Sequence, residues 1–305
     1  MNRGVRAGLA IAATAALLWP AVMFGWGETA ERLVANKAVD TLPDEILPFF
    51  VASRRFLVQH VSDPEEGELK SSAPPPPSAA AARSAITTTE PPSPSAAAAA
   101  SHMNDFIQLD HYGTFPFSAL PRDYAAAVSK YNRRTIEEYG LLPWAVGVHS
   151  QHLTDAFRNH NWDGARLEAA LLAHYVAAAH DPFNTTINFD GKLSGQPGVN
   201  QRYGGALVDR YQLFFFVKPN EAAYIHDPTE YAFEMALGAH ATLEKVLLDD
   251  RRARQGLAGY TDDYYDRFYA LAGTTLVQQL SETTTDVGSY WMTSWINAGR
   301  PQLPQ

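Results

Sequence analysis

No cysteine occurs anywhere in the 305 residues. Disulfides, iron–sulfur clusters, thiolate zinc and cysteine nucleophiles are therefore excluded together. Any metal site must draw on His, Asp, Glu, Asn or backbone groups. Basic residues are also scarce: Lys+Arg is 24 against 33 for Asp+Glu, a formal net charge of −9. A domain that coats nucleic acid with a basic face does not fit, and no stable binding to duplex nucleic acid is expected. An enzyme that cuts phosphodiesters need not be basic. No phosphate-cradling glycine loop and no serine elbow is present, and no internal repeat stands out. With 46% hydrophobic and 19% charged residues, neither whole-chain disorder nor a coiled coil is expected. The length suits one large domain or two small ones around a sizeable core.

The N-terminus reads as a targeting segment. Arg3 and Arg6 precede a run from Ala7 to Leu18 without charge, the layout of a secretory signal peptide over residues 1–25. Its removal takes two positive charges and moves the net charge from −9 to −11. The expected location is exported, periplasmic or secreted. The uncharged stretch Ala7–Trp26 spans 20 residues, so the alternative is an uncleaved anchor, which would be the chain's one membrane contact. Residues 64–103 hold eight prolines, eleven alanines and seven serines. Such a segment buries too little apolar surface to offset its ordering entropy. Residues 26–63 are too few to fold alone, so 64–103 reads as a disordered insertion within one domain, 26–63 plus 104–305.

The remainder reads as helix. Apolar spacings of three and four predict helices over 28–38 and 44–60. Others are expected over 121–139, ending at Gly140, and near 142–159. A helix over 164–179 would carry Leu167, Leu171, His174 and Ala178 on one face. Asp227-Pro228-Thr229-Glu230 combines a cap oxygen, a first-turn proline and an acid at the third position, and so starts a helix that could reach Arg254. Residues 262–280 form another. Only Tyr211–Lys218 hints at strand. The expected fold class is all-α, a single multi-helix domain.

Several fragments together resemble the zinc-dependent phospholipase C and single-strand-specific zinc nuclease superfamily. They are Trp26-Gly27 after the leader, Ala38-Val39-Asp40-Thr41-Leu42-Pro43, Leu109-Asp110-His111-Tyr112-Gly113 and Leu153-Thr154-Asp155-Ala156-Phe157. His174-Tyr175-Val176 through His180-Asp181-Pro182, Thr185-Thr186-Ile187-Asn188 to Gly195-Gln196, and Trp295-Ile296-Asn297-Ala298-Gly299 complete the set. No fragment is specific alone; their order is. The resemblance implies an all-α domain with three zinc ions in a cleft, hydrolysing phosphate esters through metal-activated water.

It also implies a ligand set that this chain has largely lost. Trp26 stands at the N-terminal ligand position, and Glu31 replaces a histidine. Asp63 keeps an aspartate, Asp105 replaces a histidine, and His174 is kept. Four further ligand positions fall on Ala178, Asn184, Asn200 and Gly204. A methyl cannot coordinate, and amides are poor zinc ligands. The reduced metal set is Trp26, Glu31, Asp63, Asp105 and His174, with Asp63, Asp105 and His174 able to hold a single ion. Zinc, at most one or two ions, is the implied cofactor. Each residue also has a plainer reading: His174 as a core histidine, Glu31 as a solvated acid, Asp63 as a helix-ending residue. Asp110 and His111 are expected to anchor a loop, Asn188 and Gln196 to shape one, and Tyr260, Tyr264, Tyr265 and Tyr269 to pack. His149 and His152 are read as ordinary polar positions on separate helix faces. Two functions follow: a phosphate-ester hydrolase with reduced or lost activity, or a non-catalytic exported domain that binds a small ligand or phosphate ester. A third, a membrane-tethered domain whose insertion spans the envelope, depends on retention of the leader.

Overall fold

A computed structural model describes residues 26–63, 102–304 of the chain. The expected leader and nearly all of the expected insertion, residues 64–101, lie outside the described residues. Among the described residues there are nine α-helices, and no strand occurs. They are α1 (Glu28–Ala38), α2 (Leu47–His60), α3 (Tyr124–Tyr131), α4 (Arg133–Tyr139), α5 (Leu142–Arg158), α6 (Trp162–Ala179), α7 (Leu207–Tyr211), α8 (Pro228–Arg254) and α9 (Asp262–Asn297).

Helix α6 is the hub. Its second half, Leu172 to Ala179, is buried on every side. Four alanines in that stretch keep the helix thin enough for α1, α2, α5, α8 and α9 to pack around it. Leu167 and Leu171, expected to lead its core face, are only half-buried. A helix buried all round has no single apolar stripe to read. Aromatic rings fill the joints: Phe50 stacks on Trp291 at 4.8 Å, and the Trp291 indole N–H donates to Ala169 O at 2.9 Å.

Three expectations change. The helix expected over 121–139 is two helices. Asn132 breaks it with φ of 64°, and its side-chain oxygen caps the next helix by accepting from Thr135 N at 3.0 Å. Asparagine tolerates the left-handed region and offers a local acceptor, so one residue both ends α3 and starts α4.

The hint of strand at Tyr211–Lys218 is not a strand. Tyr211 closes α7, residues 212–214 form a 3-10 turn, and the chain then runs without regular structure to α8. Its amides pair with a helix. Lys218 N, Asn220 N, Ala223 N and Ile225 N donate to the hydroxyls of Ser281, Thr285, Ser289 and Thr293 at 2.9–3.1 Å. These hydroxyls recur every four residues and so line one face of α9.

The same residues explain why α9 runs 36 residues rather than stopping near Leu280. Beta-branched and hydroxyl residues after Leu280 weaken helix propensity. Here Ser281, Thr285 and Ser289 donate to the carbonyl four residues back while accepting from the strap, and packing outweighs propensity. Gly288 lies within this stretch because a Cβ there would sit 2.0 Å from Thr41 Oγ1. α9 therefore touches the turn after α1 directly.

Candidate functional site

Three of the residues singled out by the resemblance, Glu31, Asp105 and His174, meet in the interior. His174, fully buried on α6, bridges two carboxylates. Its Nδ1 lies 2.9 Å from Glu31 Oε1 on α1, and its Nε2 lies 3.3 Å from Asp105 Oδ1. Glu31 is 0% exposed and Asp105 3%. Burial alone would lower the His174 pKa. The Glu31 charge and the hydrogen bonds to both carboxylates outweigh it and hold the imidazole well above its usual 6.5. That direction favours the imidazolium form, in which both nitrogens donate to the carboxylates. The second oxygen of Asp105 faces His102 Nδ1 at 3.6 Å. The second oxygen of Glu31 is buried with no hydrogen-bond partner among the described residues.

The other positions are close by along the chain's contacts. Trp26 is fully buried against Tyr203, ring centres 6.0 Å apart, and its indole N–H has no hydrogen-bond partner among the described residues. Gly27 N donates to Gly204 O at 3.3 Å, and a Cβ on Gly27 would lie 3.0 Å from Gly205 Cα. Two backbone segments meet there, and a side chain on Gly27 would press on the Gly205 backbone. Asn184 Nδ2 donates to Ala178 O at 3.1 Å, and Asn184 O accepts from Ile107 N at 2.8 Å. Asp63 makes a different contact: its Oδ2 pairs with His60 Nδ1 at 2.5 Å at the end of α2. Glu31, read from the sequence as a solvated acid, is instead completely buried.

These side chains do not suit a zinc cluster. The two nitrogens of His174 each face a different carboxylate, Glu31 and Asp105. The two ring nitrogens point apart, so Glu31 and Asp105 lie at opposite edges and cannot join His174 around one tetrahedral ion. Glu31 Oε2, without a hydrogen-bond partner among the described residues, is a single donor where a zinc site needs at least three protein ligands. The arrangement is a cation held between two anions, with the imidazolium carrying the positive charge.

A second cluster lies beside the first, and it corrects the reading of His149 and His152. Residues three apart on a helix are neighbours, and both rings reach from α5 to one carboxylate oxygen on α6. His149 Nδ1 is 2.8 Å and His152 Nδ1 3.7 Å from Glu168 Oε2. The rings meet edge to face at 5.5 Å. One ligand atom from each of His149, His152 and Glu168 lies within 4.8 Å of the others. Burial would raise the Glu168 carboxyl, but hydrogen bonds and charge from both histidines bring it down to about 2. The hydrogen bond to Glu168 raises His152 against its own desolvation. Tyr175 joins the two clusters, stacking on His149 at 4.7 Å and meeting His174 edge-on at 5.1 Å. His149 also lines an open cavity of about 650 Å³ with Arg122, Trp144 and Asp227.

A third polar group was not foreseen. His180 Nε2 pairs with Asp286 Oδ2 at 2.9 Å, and Asp286 Oδ1 accepts from Tyr231 Oη at 2.9 Å. All three line a cavity of about 560 Å³. Neighbouring Asp181 is 1% exposed, with Oδ1 accepting from Phe183 N at 2.8 Å and Oδ2 without a hydrogen-bond partner among the described residues. Desolvation pushes its carboxyl up to about 7.

The loop residues behave as expected. Asp110 Oδ2 accepts from Ile187 N at 2.8 Å, and His111 stacks on Tyr139 at 3.7 Å. Asn188 Oδ1 accepts from Leu193 N at 2.9 Å, and Gln196 Nε2 donates to Leu247 O at 2.8 Å. The tyrosines pack: Tyr264 is buried, Arg202 lies 3.8 Å over Tyr260, and Tyr269 stacks on Tyr211 at 4.3 Å. No helix among the described residues is long and apolar enough to cross a membrane. No protein-family model and no curated protein matches the chain.

Proposed function

We propose that this chain is an exported, non-catalytic derivative of the zinc-dependent phospholipase C and nuclease scaffold, in which an internal ion bridge stands where the metals were. One observation carries the reading: Glu31, Asp105 and His174, matched to ligand positions through separate fragments of the sequence, are buried in mutual contact. That these positions meet at one buried polar spot is what descent from a common site would produce. Neighbouring matched positions support it, with the Trp26-Gly27 segment against Gly204 and Ala178 beside Asn184.

The chemistry explains the loss of hydrolysis. A phosphoryl-transfer site needs cations facing the substrate and a water made acidic enough to attack. Here the positive charge is an imidazolium, fully buried and already neutralised on both sides. It has no open coordination position and no contact with solvent. What such a domain retains is its surface: clefts suited to a small ligand or a phosphate ester.

The decisive experiment assays the purified chain against a chromogenic phosphodiester with added zinc. The same protein is melted with and without a chelator, alongside His174→Gln. Absence of turnover, and a wild-type bridge whose contribution does not depend on chelator, are expected. Turnover that His174→Gln abolishes, or bound metal lost specifically in that variant, overturns the proposal.

A further inference from the structure

We propose that His149, His152 and Glu168 form a binding site for one divalent transition-metal ion, separate from the ancestral cluster. The donors are two imidazole nitrogens and one carboxylate oxygen, a set that suits zinc, cobalt or nickel. Calcium and magnesium prefer oxygen alone. Three protein ligands leave one or more positions for water or an exogenous group.

The geometry is near what a metal requires. Ligand atoms about 2.1 Å from a tetrahedral ion lie about 3.4 Å from one another. The distances to Glu168 Oε2, 2.8 Å from His149 and 3.7 Å from His152, bracket that separation. Both histidines turn the same nitrogen, Nδ1, to the same oxygen. The site is held by surroundings that would keep it in shape. His149 is clamped by the Tyr175 ring at 4.7 Å, and both helices lie within the packed bundle. Asp155, a turn beyond His152 on α5, is engaged by Gln151 and Arg158. Side-chain exposures of 16% for His149, 17% for Glu168 and 35% for His152 place the cluster at a rim. An ion can enter there, in contrast to the sealed His174 bridge. Without metal, His149 hydrogen-bonds the Glu168 oxygen and His152 faces the same oxygen at 3.7 Å. An ion replaces those contacts with coordination once the histidines are neutral.

The test titrates the purified chain with cobalt(II), read by visible absorption, and with zinc in competition. One cobalt per chain is expected, displaced by zinc. His149→Ala and Glu168→Gln should each weaken binding at least tenfold, and His174→Gln should leave it unchanged. That last arm separates this site from the ion bridge, so failure of one proposal is distinguishable from failure of the other. Should a substitution unfold the chain, the unsubstituted protein still decides. Cobalt must broaden the assigned ring resonances of His149 and His152 before those of other histidines. No cobalt binding at millimolar metal, binding indifferent to His149→Ala and Glu168→Gln, or broadening centred on other histidines overturns the site.

Discussion

Replacing His174 by glutamine tests the ion bridge most directly. In the native protein the ring holds two carboxylates that are 0% and 3% exposed. Glutamine keeps much of the size and some hydrogen bonding but removes the charge, so Glu31 and Asp105 become uncompensated anions in a dry interior. Removing one partner of a buried ion pair costs roughly 3–5 kcal/mol. A loss of about 4 kcal/mol lowers the folding equilibrium constant by about three powers of ten, a large share of a domain's total stability. The companion variant neutralises all three groups at once, Glu31→Gln, Asp105→Asn and His174→Gln. Its cost should be far smaller, under about 2 kcal/mol, because no charge is left stranded. Equilibrium urea unfolding measures both, with the change read from the midpoint at constant slope. The reasoning fails if the single substitution costs under about 1 kcal/mol, or if the triple variant is the less stable of the two. Linkage adds a pH signature. A histidine raised above 6.5 contributes stability that is complete below 6.5 and lost as pH rises through its folded-state value. The native protein should therefore weaken on the alkaline side, and the triple variant should show less of that loss.

Other outcomes follow from named contacts. Asp181, raised from 3.8 to about 7, holds a proton in the folded state that the unfolded chain releases, so stability falls as pH rises from about 4 to about 7 and then levels. Asp181→Asn removes that loss, worth up to about 4 kcal/mol by the size of the shift; melting curves from pH 5 to pH 8 should diverge, and parallel curves would refute the assignment. Gly288→Ala drives a methyl to 2.0 Å from Thr41 Oγ1, so α9 must shift from the turn after α1. A loss of roughly 1–3 kcal/mol by chemical denaturation is expected. Thr285→Val keeps the shape but removes the acceptor of Asn220 N. Hydrogen exchange across residues 218–225 should quicken with a stability change of about 1 kcal/mol, and unchanged exchange would show that the hydroxyl face does not hold the strap.

Local signals along the chain were enough for most of the helices. Asp227, Pro228 and Glu230 carry a complete start signal, and Asp227 Oδ1 indeed accepts from Thr229 N and Glu230 N at 3.0 Å. The expected span 28–38 coincides with α1, and Gly140 ends α4 with φ of 95°. Capping and periodicity act over a few residues, so the chemistry that decides them is written consecutively. Where side chains satisfy one another across the fold, the same reading failed. Glu31 looks like a helix-surface acid until His174, 143 positions away, meets it in the interior. His149 and His152 look unremarkable until Glu168 arrives from the next helix. The late part of α9 looks too rich in threonine for a helix until the strap supplies partners for its hydroxyls.

Composition alone ruled out thiol chemistry and a basic nucleic-acid face, and the order of short fragments suggested where the polar centre would be. Which nitrogen meets which oxygen, and which buried side chains face one another, was decided only when the helices packed. A pairwise electrostatic contact depends on distance in space, which the order of residues along the chain does not encode locally.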